Sequence, residues 1–199
     1  MTRVFQVRVG STLSRDFYQR EGVPQGSVLS VVFILMINDI VRQLLPTVKG
    51  TLFVDDFQIS CASANISTVE RQLQIAIHNI LDWTNNNDFV IFNQKTICMH
   101  FCRKRGLHPD PEIILNGVAL PVRSETKFLG IIFDMKLTFL PHIQHPRQKC
   151  NKSLNILKVL FSTTYGADTT SMLRIYRALI RSKLEYGVAA YGSARKSAL

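Results

Sequence analysis

The chain has 199 residues, of which 46% are hydrophobic and 19% charged, with 10 glycines and 7 prolines. This composition is typical of a folded globular protein and excludes a wholly disordered or collagen-like chain. The formal net charge is +10, which favours a polyanionic partner, and nucleic acid before a membrane surface.

The positive charge is concentrated in the second half of the chain. Residues 1–94 hold 7 basic and 8 acidic side chains, whereas residues 95–199 hold 17 basic and 6 acidic ones. Four cysteines are too few for a disulfide framework in a chain of this size and predict reduced thiols. No signal peptide opens the chain, and its longest apolar run, 28–37, is too short to span a bilayer. We therefore expect a soluble intracellular protein, cytoplasmic or nuclear, without a membrane partner.

The first predicted elements are a strand and a long apolar helix. Alternating valines at 4, 7 and 9 favour a strand. The segment from Gly22 to Ser27 reads as a loop, with Ser27 as the N-cap of a helix over 28–45 that ends before Pro46. Because that helix is apolar on most faces, we expect it to be largely buried in the core.

A hairpin, a second helix and several strands are predicted next. Two β-prone runs flank a turn at Asp55-Asp56. A helix is expected from Ser67 to about Asn86, capped by Ser67 or Thr68. Strands are predicted over 96–101, 112–115, 119–122 and 127–133, and Asn116-Gly117 is a strong hairpin signal.

Two helices with basic residues are predicted at the end. Helical spacing covers 142–161 and 169–186, with Asp168 or Thr169 capping the second helix. The leucines at 154, 157 and 160 are expected to face Leu173, Ile180 and Leu184. The fold class is α+β: an antiparallel sheet with helices on one face, followed by a basic helical part, with a boundary near 135–140.

The sharpest chemical feature is Asp55-Asp56. Paired carboxylates suit phosphoryl transfer, in which two divalent ions about 4 Å apart activate the attacking hydroxyl and neutralise the leaving oxygen. Hard cations such as Mg²⁺ prefer carboxylate oxygens. The alternative is that aspartate is simply a good turn residue. The pair alone therefore does not decide between a metal site and a structural turn.

The order of motifs around this pair resembles the palm of reverse transcriptases, best those of jockey-like non-LTR retrotransposons. Three segments follow one another in the family's order: Gly22 to Ser30, the helix with Asn38-Asp39, and Phe53-Val54-Asp55-Asp56. Two later motifs of the family are also matched. The first match is Trp83 with Asn93-Gln94-Lys95-Thr96. The second is Lys127-Phe128-Leu129-Gly130, which resembles the strand pair that grips the primer end in this family. The block from Lys152 to Ala194 is similar to the thumb and connector. The resemblance covers most of the chain.

The resemblance implies a role for each matching residue. Asp55 would be a catalytic metal ligand for Mg²⁺ or Mn²⁺, with Asp56 as its supporting carboxylate. Lys95 would lie near the triphosphate as a proton donor. Residues that would line the nucleotide and template pocket are Pro24, Gln25, Gly26 and Phe53; Leu129 and Gly130 would form the primer grip. The basic helices would contact the nucleic-acid backbone through Lys149, Lys152, Lys158, Arg174, Arg177 and Arg181.

In this interpretation residues 1–135 are a partial palm and residues 136–199 a basic helical thumb or connector. The substrates would be an RNA template, a DNA primer and deoxynucleoside triphosphates. Val31, Val54 and Asp88 depart from the family's pattern, and Asp88 adds a Cβ where a positive φ is favoured by glycine. The family's upstream catalytic aspartate and its fingers have no match here. We therefore expect an N-terminally truncated piece of a polyprotein that is inactive by itself and has an unpaired edge on its hairpin.

Other constellations have simpler interpretations. Cys98, His100 and Cys102, with His108 nearby, fit no common zinc spacing, so buried thiols on a strand are expected. His142 and His145 are flanked by prolines and are expected in a solvated loop. The short run Arg103-Lys104-Arg105 is either a phosphate contact or a solvated turn.

Three functional hypotheses follow. The first is an RNA-directed DNA polymerase fragment, and the second is a non-catalytic nucleic-acid-binding remnant of a decayed retrotransposon. The third is a fragment without a cellular role. An RNase H or endonuclease function is not supported, since no acidic cluster follows Asp134.

Overall fold

The computed structural model describes residues 3–19, 22–23, 26–103, 109–161, 166–192 and 194. The chain divides into two compact units, Met1–Ile91 and Phe92–Leu199. The predicted boundary near 135–140, between an α+β part and a basic helical part, stays a prediction.

The first unit begins with a narrow two-stranded ribbon. Its strands are β1 (Arg3–Phe5), β2 (Arg8–Val9), β3 (Thr12–Leu13) and β4 (Phe17–Gln19). Strand β1 pairs antiparallel with β4, and β2 pairs with β3 across a turn at Gly10, whose φ is 62°. Between the two pairs, the Gln6 amide donates to the Asp16 carboxylate and the Val7 N–H donates to the Ser14 hydroxyl.

Helix α1 is shorter and far more exposed than its sequence predicts. It spans Val28–Ile37, with Ser27 as the N-cap residue, and a 3-10 segment continues over Asn38–Gln43. Ile37 is the one buried residue of this helix in the structure as described, and Val28 is 85% exposed. The prediction of a largely buried helix is therefore wrong. Apolar composition indicates burial only where another element packs on the helix, and the described contacts of α1 run mainly to the 3-10 segment.

The core of the first unit lies between a hairpin and helix α2. Strand β5 (Val48–Phe53) pairs with β6 (Asp56–Cys61), and α2 spans Ile66–Asn86. The buried apolar residues are Ile37, Ile40, Val48, Ala76, Ile77 and Ile80. Asn65, rather than Ser67 or Thr68, caps α2, because its side chain accepts from the Ser67 N–H. The predicted hairpin and helix are confirmed.

The second unit begins with two small hairpins. Strand β7 (Ile114–Leu115) pairs with β8 (Val118–Ala119) across Asn116-Gly117, as predicted. Strand β9 (Glu125–Phe128) pairs with β10 (Ile131–Asp134), so the predicted single strand over 127–133 is a hairpin with its turn at Leu129-Gly130. The predicted strand over 96–101 is wrong: Cys98 makes one isolated bridge, to Val122.

Four helical segments and one π-helical stretch complete the second unit. Helix α3 spans Leu140–Leu160, and α4 spans Thr169–Tyr176. A π-helical stretch, Arg177–Arg181, leads into α5 (Ser182–Glu185), and α6 spans Val188–Tyr191. Asp168 caps α4 as predicted, since its carboxylate accepts from the Ser171 N–H and hydroxyl.

The contact between α3 and the later helices is made by smaller and more polar residues than predicted. Its buried members are Cys150, Ser153 and Ile180, and the Lys183 ammonium donates to the Ser153 hydroxyl at 2.7 Å. The leucines at 154, 160, 173 and 184 are all at least 36% exposed. The predicted leucine interface is therefore wrong, and Ile180 alone of the six predicted residues is buried in the described structure.

His142 and His145 lie in the first two turns of α3, not in a solvated loop. Pro141 occupies the first helical turn, where its missing N–H costs no hydrogen bond, and Pro146 is accommodated inside the helix. His142 is buried, its Nδ1 accepts from the Ile132 N–H at 3.3 Å, and its ring lies 4.8 Å from that of Tyr191. Burial, and then the neighbouring His145, lower the pKa of His142.

The architecture is α+β, as predicted, and its strands form five separate antiparallel pairs within the described ranges rather than one sheet. The hairpin of β5 and β6 therefore has an unpaired edge on each side in the part of the chain that the structure describes. No described helix combines the length and the apolarity needed to cross a membrane.

Candidate functional site

The aspartate pair lies at the tip of the β5–β6 hairpin. Phe53 pairs with Asp56, so the two-residue turn consists of Val54 and Asp55. Asp56 is therefore the first residue of β6, and Asp55 belongs to the turn itself. Both side chains are exposed. The prediction that the pair occupies an exposed turn is confirmed.

The turn has an unfavourable backbone conformation. Val54 has a φ of 57°, which is rare for a β-branched residue because its side chain crowds the backbone. A two-residue hairpin turn with positive φ at its first position favours glycine there. Such a conformation costs about 1–3 kcal/mol and persists only where the surrounding structure imposes it.

The body of the hairpin holds this tip in place. Gly50 in β5 lies against the side chains of Leu44 and Phe57, and a Cβ at this position would approach Phe57 Cε2 to 3.3 Å. Six residue pairs hold the strands in register from Val48–Cys61 to Phe53–Asp56. Helix α2 packs on both strands. The hairpin is thus fixed at its base while its acidic end stays open to solvent.

The two carboxylates fit a divalent cation. Neither forms an ion pair or a side-chain hydrogen bond with any residue that the structure describes. Hard cations such as Mg²⁺ take carboxylate oxygens and retain several waters, so an exposed pair suits them. No third metal-ligating side chain joins the pair within the described residues, where no group of three or more such side chains occurs.

Part of the predicted nucleotide pocket lies outside the described residues. This holds for Pro24 and Gln25. Gly26 is described: it has a φ of 82°, and an added Cβ would meet no described atom within 4 Å. Glycine at this position is therefore required by the backbone conformation and not by a close neighbour. Phe53 is 56% exposed at the end of β5.

The backbone after α2 is strained at Asp88, as predicted. This residue has a φ of 57°, as expected where the family pattern has glycine. Phe89, next to it, stacks on Trp83 with ring centroids 5.2 Å apart and contacts Phe33 of α1 at 5.8 Å. The aromatic cluster fixes the chain as it leaves α2.

Lys95 belongs to the second unit. It is exposed in a turn, where its N–H donates to the Phe92 carbonyl and its ammonium lies 5.5 Å from the centre of the Phe92 ring. Asn93 anchors the same turn, because its amide donates to the Leu115 carbonyl at 3.2 Å. The ammonium is accessible to an anionic ligand.

The turn at Leu129-Gly130 has left-handed conformations at both central residues, with φ values of 45° and 84°. The Tyr186 hydroxyl donates to the Leu129 carbonyl at 2.6 Å. Sequence reasoning placed Leu129 and Gly130 within one strand and gave them a primer-grip role by resemblance alone. It missed Tyr186, which follows 56 residues after Gly130. Only a turn-like Tyr-Gly pair between two helical stretches could have indicated it.

The basic residues predicted to contact nucleic acid are all exposed on helices of the second unit. We use the term basic helical surface for six exposed residues on α3, α4 and the π-helical stretch: Lys149, Lys152, Lys158, Arg174, Arg177 and Arg181. Arg181 pairs with Glu185 at 2.6 Å, and this hydrogen bond raises the pKa of the guanidinium. The other five have no acidic partner among the described residues, so their charges are available to phosphates.

Among the described residues, Cys98, His100 and Cys102 do not belong to any group of three or more possible metal ligands. Cys98 and Cys102 are free thiols, and the pKa of Cys98 is raised by burial and then by Asp110. His100 contacts Asp110 at 3.5 Å. His108, Lys104 and Arg105 lie outside the described residues.

Comparison with known proteins gives consistent matches. A family model described as reverse transcriptase (RNA-dependent DNA polymerase) matches residues 1–133. The chain is similar to the probable RNA-directed DNA polymerase from transposon BS of Drosophila melanogaster, with 28% identity, covering 98% of this chain and 22% of that protein. It is also similar to the RNA-directed DNA polymerase from mobile element jockey of the same species, with 28% identity and coverage of 99% and 22%.

A third relative is the retrovirus-related Pol polyprotein from type-1 retrotransposable element R1 of Bradysia coprophila. It is 24% identical over 85% of this chain and 17% of that protein. The chain therefore spans about a fifth of the length of the curated relatives it matches. No solved structure matches the chain significantly.

Proposed function

The chain belongs to the reverse transcriptase family, and we propose that it carries the metal-binding hairpin and the duplex-binding surface of a mobile-element RNA-directed DNA polymerase. One observation carries the proposal: two exposed carboxylates, without an ion-pair partner among the described residues, lie at the tip of a hairpin whose turn is held in a strained conformation. If this turn served stability alone, glycine would be favoured at position 54 in place of valine.

Asp55 and Asp56 would hold the divalent metal that this family uses. A bound Mg²⁺ or Mn²⁺ would activate the primer 3′-hydroxyl and neutralise charge on the leaving pyrophosphate. The protein's own contribution is positional, since phosphoryl transfer depends mostly on alignment and electrostatic stabilisation. Phe53, at the end of β5, would support the primer terminus, and Lys95 would donate a proton to the leaving pyrophosphate.

The remaining predicted residues would bind nucleic acid. Pro24, Gln25 and Gly26 would line the pocket for the nucleotide and the template base. The turn at Leu129 and Gly130 would contact the primer end, and the basic helical surface would contact phosphates of the RNA–DNA duplex. Such phosphate contacts give affinity without sequence preference. The chain would act inside the cell, where its nucleic-acid substrates occur.

Duplex binding is the first test. Fluorescence anisotropy with a labelled DNA primer on an RNA template should show affinity that falls as salt rises. The slope of log Kd against log salt should reach at most about 5 for six phosphate contacts. Arg174→Gln should reduce that slope by about 1, whereas Arg71→Gln, an exposed arginine of the first unit, should leave it unchanged. Binding that ignores salt would refute the proposed surface.

Primer extension is the second test. We expect the chain alone to bind the duplex without extending it, because two-metal catalysis needs more carboxylates than the two at this tip. Asp55→Ala should leave duplex affinity unchanged. Incorporation of nucleotides that Asp55→Ala abolishes would show that the chain is itself a complete polymerase. The second candidate, a non-catalytic nucleic-acid-binding remnant, is favoured by the exposed cations and predicts duplex binding without any effect of Mg²⁺.

A further inference from the structure

Tyr186 and the Leu129-Gly130 turn approach each other unusually closely. A Cβ built on Gly130 would lie 2.9 Å from Tyr186 Cε1 and 3.2 Å from its hydroxyl oxygen. Because Cβ atoms essentially never approach another atom to 2.9 Å, the Tyr186 ring would have to shift if residue 130 carried a side chain. The Tyr186 hydroxyl meanwhile donates to the Leu129 carbonyl at 2.6 Å.

The contact has a counterpart one residue further along each segment. A Cβ on Gly187 would lie 2.8 Å from Ile131 Cδ1. Gly187 also has a φ of 75°, a conformation that favours glycine and that starts α6. Each segment therefore places a glycine opposite a large side chain of the other. Two such close contacts, one at Gly130 and one at Gly187, fix the relative position of the two segments more specifically than one exposed hydrogen bond does.

A third contact holds the hairpin to α3. The Ile132 N–H of β10 donates to His142 Nδ1, and the His142 ring lies beside Tyr191 of α6. Helix α3 contacts β10 along this side. The β9–β10 hairpin is thus attached at its turn to the segment after α5 and along its strand to α3, the helix that carries Lys149, Lys152 and Lys158.

The attachment also stabilises a strained residue. Leu129 has a φ of 45°, a left-handed conformation that is strained for a residue with a side chain. Its carbonyl is the atom that Tyr186 holds. Tyr186 directly follows Glu185, whose carboxylate pairs with Arg181 of the basic helical surface. The turn and that surface are therefore parts of one connected arrangement.

We propose that Tyr186 is a positioning residue, which fixes the Leu129-Gly130 turn relative to the basic helical surface so that both contact one nucleic-acid duplex. The inference rests on the proposed duplex-binding function and adds the residue that makes two parts of that surface act together. Tyr186 itself contacts the turn and not the duplex.

The first experiment tests the contact in the protein without nucleic acid. In the full chain, Tyr186→Phe keeps the ring and removes the hydroxyl. Loss of one neutral hydrogen bond should speed amide exchange in the 125–134 hairpin by about fivefold. Tyr18→Phe, an exposed tyrosine of the first unit, should cause no change. Unchanged exchange in Tyr186→Phe would overturn the proposal at its structural step.

A double-mutant cycle tests the fit at Gly130. Gly130→Ala should disrupt the turn strongly when Tyr186 is present, because the new methyl group meets the ring. In the Tyr186→Ala background the same change should cost less, since the ring is gone, and the remaining cost reflects the positive φ alone. Equal effects in both backgrounds would contradict the close fit.

The second experiment tests positioning with a labelled primer–template. Tyr186→Ala should weaken binding at least threefold while the slope of log Kd against log salt stays that of the wild type, because no phosphate contact is lost. Tyr186→Phe should weaken it less. Unchanged affinity, or a reduced salt slope indicating damage to the basic helical surface, would overturn the positioning role. If the wild-type chain binds no duplex, the proposed function itself fails, and this inference fails with it.

Discussion

Asp134 accepts several hydrogen bonds from the residues that follow β10, and its replacement gives the clearest stability prediction. It is buried at the end of β10 and accepts hydrogen bonds from the Thr138 N–H at 2.9 Å, the Thr138 hydroxyl at 3.1 Å, the Phe139 N–H at 2.7 Å and the backbone of Lys136. These bonds close a loop in which Leu137 and Phe139 have positive φ values of 52° and 57°. The carboxylate therefore holds the strained entry into α3.

Asp134→Asn keeps the size of the side chain but leaves one acceptor oxygen in place of two. Hydrogen bonds to a charged group contribute about 1.5–3 kcal/mol each, so losing one or two should destabilise the second unit by about 1.5–6 kcal/mol. Amide exchange over residues 131–160 should rise by about 10-fold to about 10⁴-fold, at one factor of ten per 1.4 kcal/mol. Hydrogen exchange followed by mass spectrometry measures this region separately from the first unit.

The matched control for Asp134→Asn is Glu125→Gln. Glu125 pairs with Asp134 across the hairpin and is exposed, so its change should alter stability by less than about 0.5 kcal/mol. Burial raises the pKa of Asp134, but its hydrogen bonds from Thr138, Phe139 and Lys136 outweigh this and lower the pKa. The stabilisation should therefore be complete above about pH 4 and be lost as pH falls through the lowered pKa. Equal exchange in both variants would refute the reasoning.

Three further perturbations test other parts of the fold. Because burial, and then the neighbouring His145, lower the pKa of His142 from its ordinary value of about 6.5, the second unit should lose stability as the pH falls below about 6.5 towards the lowered pKa. Denaturation followed by circular dichroism should show this loss, and His142→Asn, which retains an acceptor for Ile132, should reduce it. Val54→Gly should stabilise the first unit by up to about 1 kcal/mol, since relief of the left-handed strain exceeds the entropic cost of glycine. Gly50→Ala should destabilise it by about 1–2 kcal/mol, because the methyl group meets Leu44 and Phe57. Fluorescence of Trp83, the single tryptophan, reports both changes, and reversed signs would contradict the assigned causes.

Local signals predicted several turns and caps correctly. Asn116-Gly117 forms its turn because both residues tolerate positive φ, and Asp168 caps α4 because its carboxylate reaches the Ser171 N–H. Asp88 has the positive φ expected from the family pattern. These features depend on a few neighbouring residues, which the sequence displays directly.

Features that depend on distant partners were predicted poorly. The apolar residues of α1 indicate burial, but a helix is buried only if another element covers it. The segment 96–101 alternates like a strand, yet strand formation depends on a neighbour, and Cys98 finds one at a single position. His142 reads as a loop residue beside Pro141, because its bond to Ile132 and its contact with Tyr191 are invisible in the local pattern.

The residues of the candidate site show the same difference between features set by neighbouring residues and features set by distant ones. The aspartate turn and Gly26 lie in short motifs that the sequence displays directly. The segment around Leu129 and Gly130 is also such a motif, but its turn was predicted as part of a strand. The strain at Val54 and the attachment of the turn by Tyr186 could not be predicted, because they arise from hairpin geometry and from a contact between residues 57 positions apart.

Binding of Mn²⁺ to the hairpin tip tests the central claim most directly. In an NMR titration of the full chain, bound Mn²⁺ should broaden the amide signals of residues 53–57 first, and the double variant Asp55→Asn with Asp56→Asn should abolish that broadening. Broadening centred elsewhere, or broadening at the tip that persists without the two carboxylates, would contradict the assignment of this pair as the metal ligands.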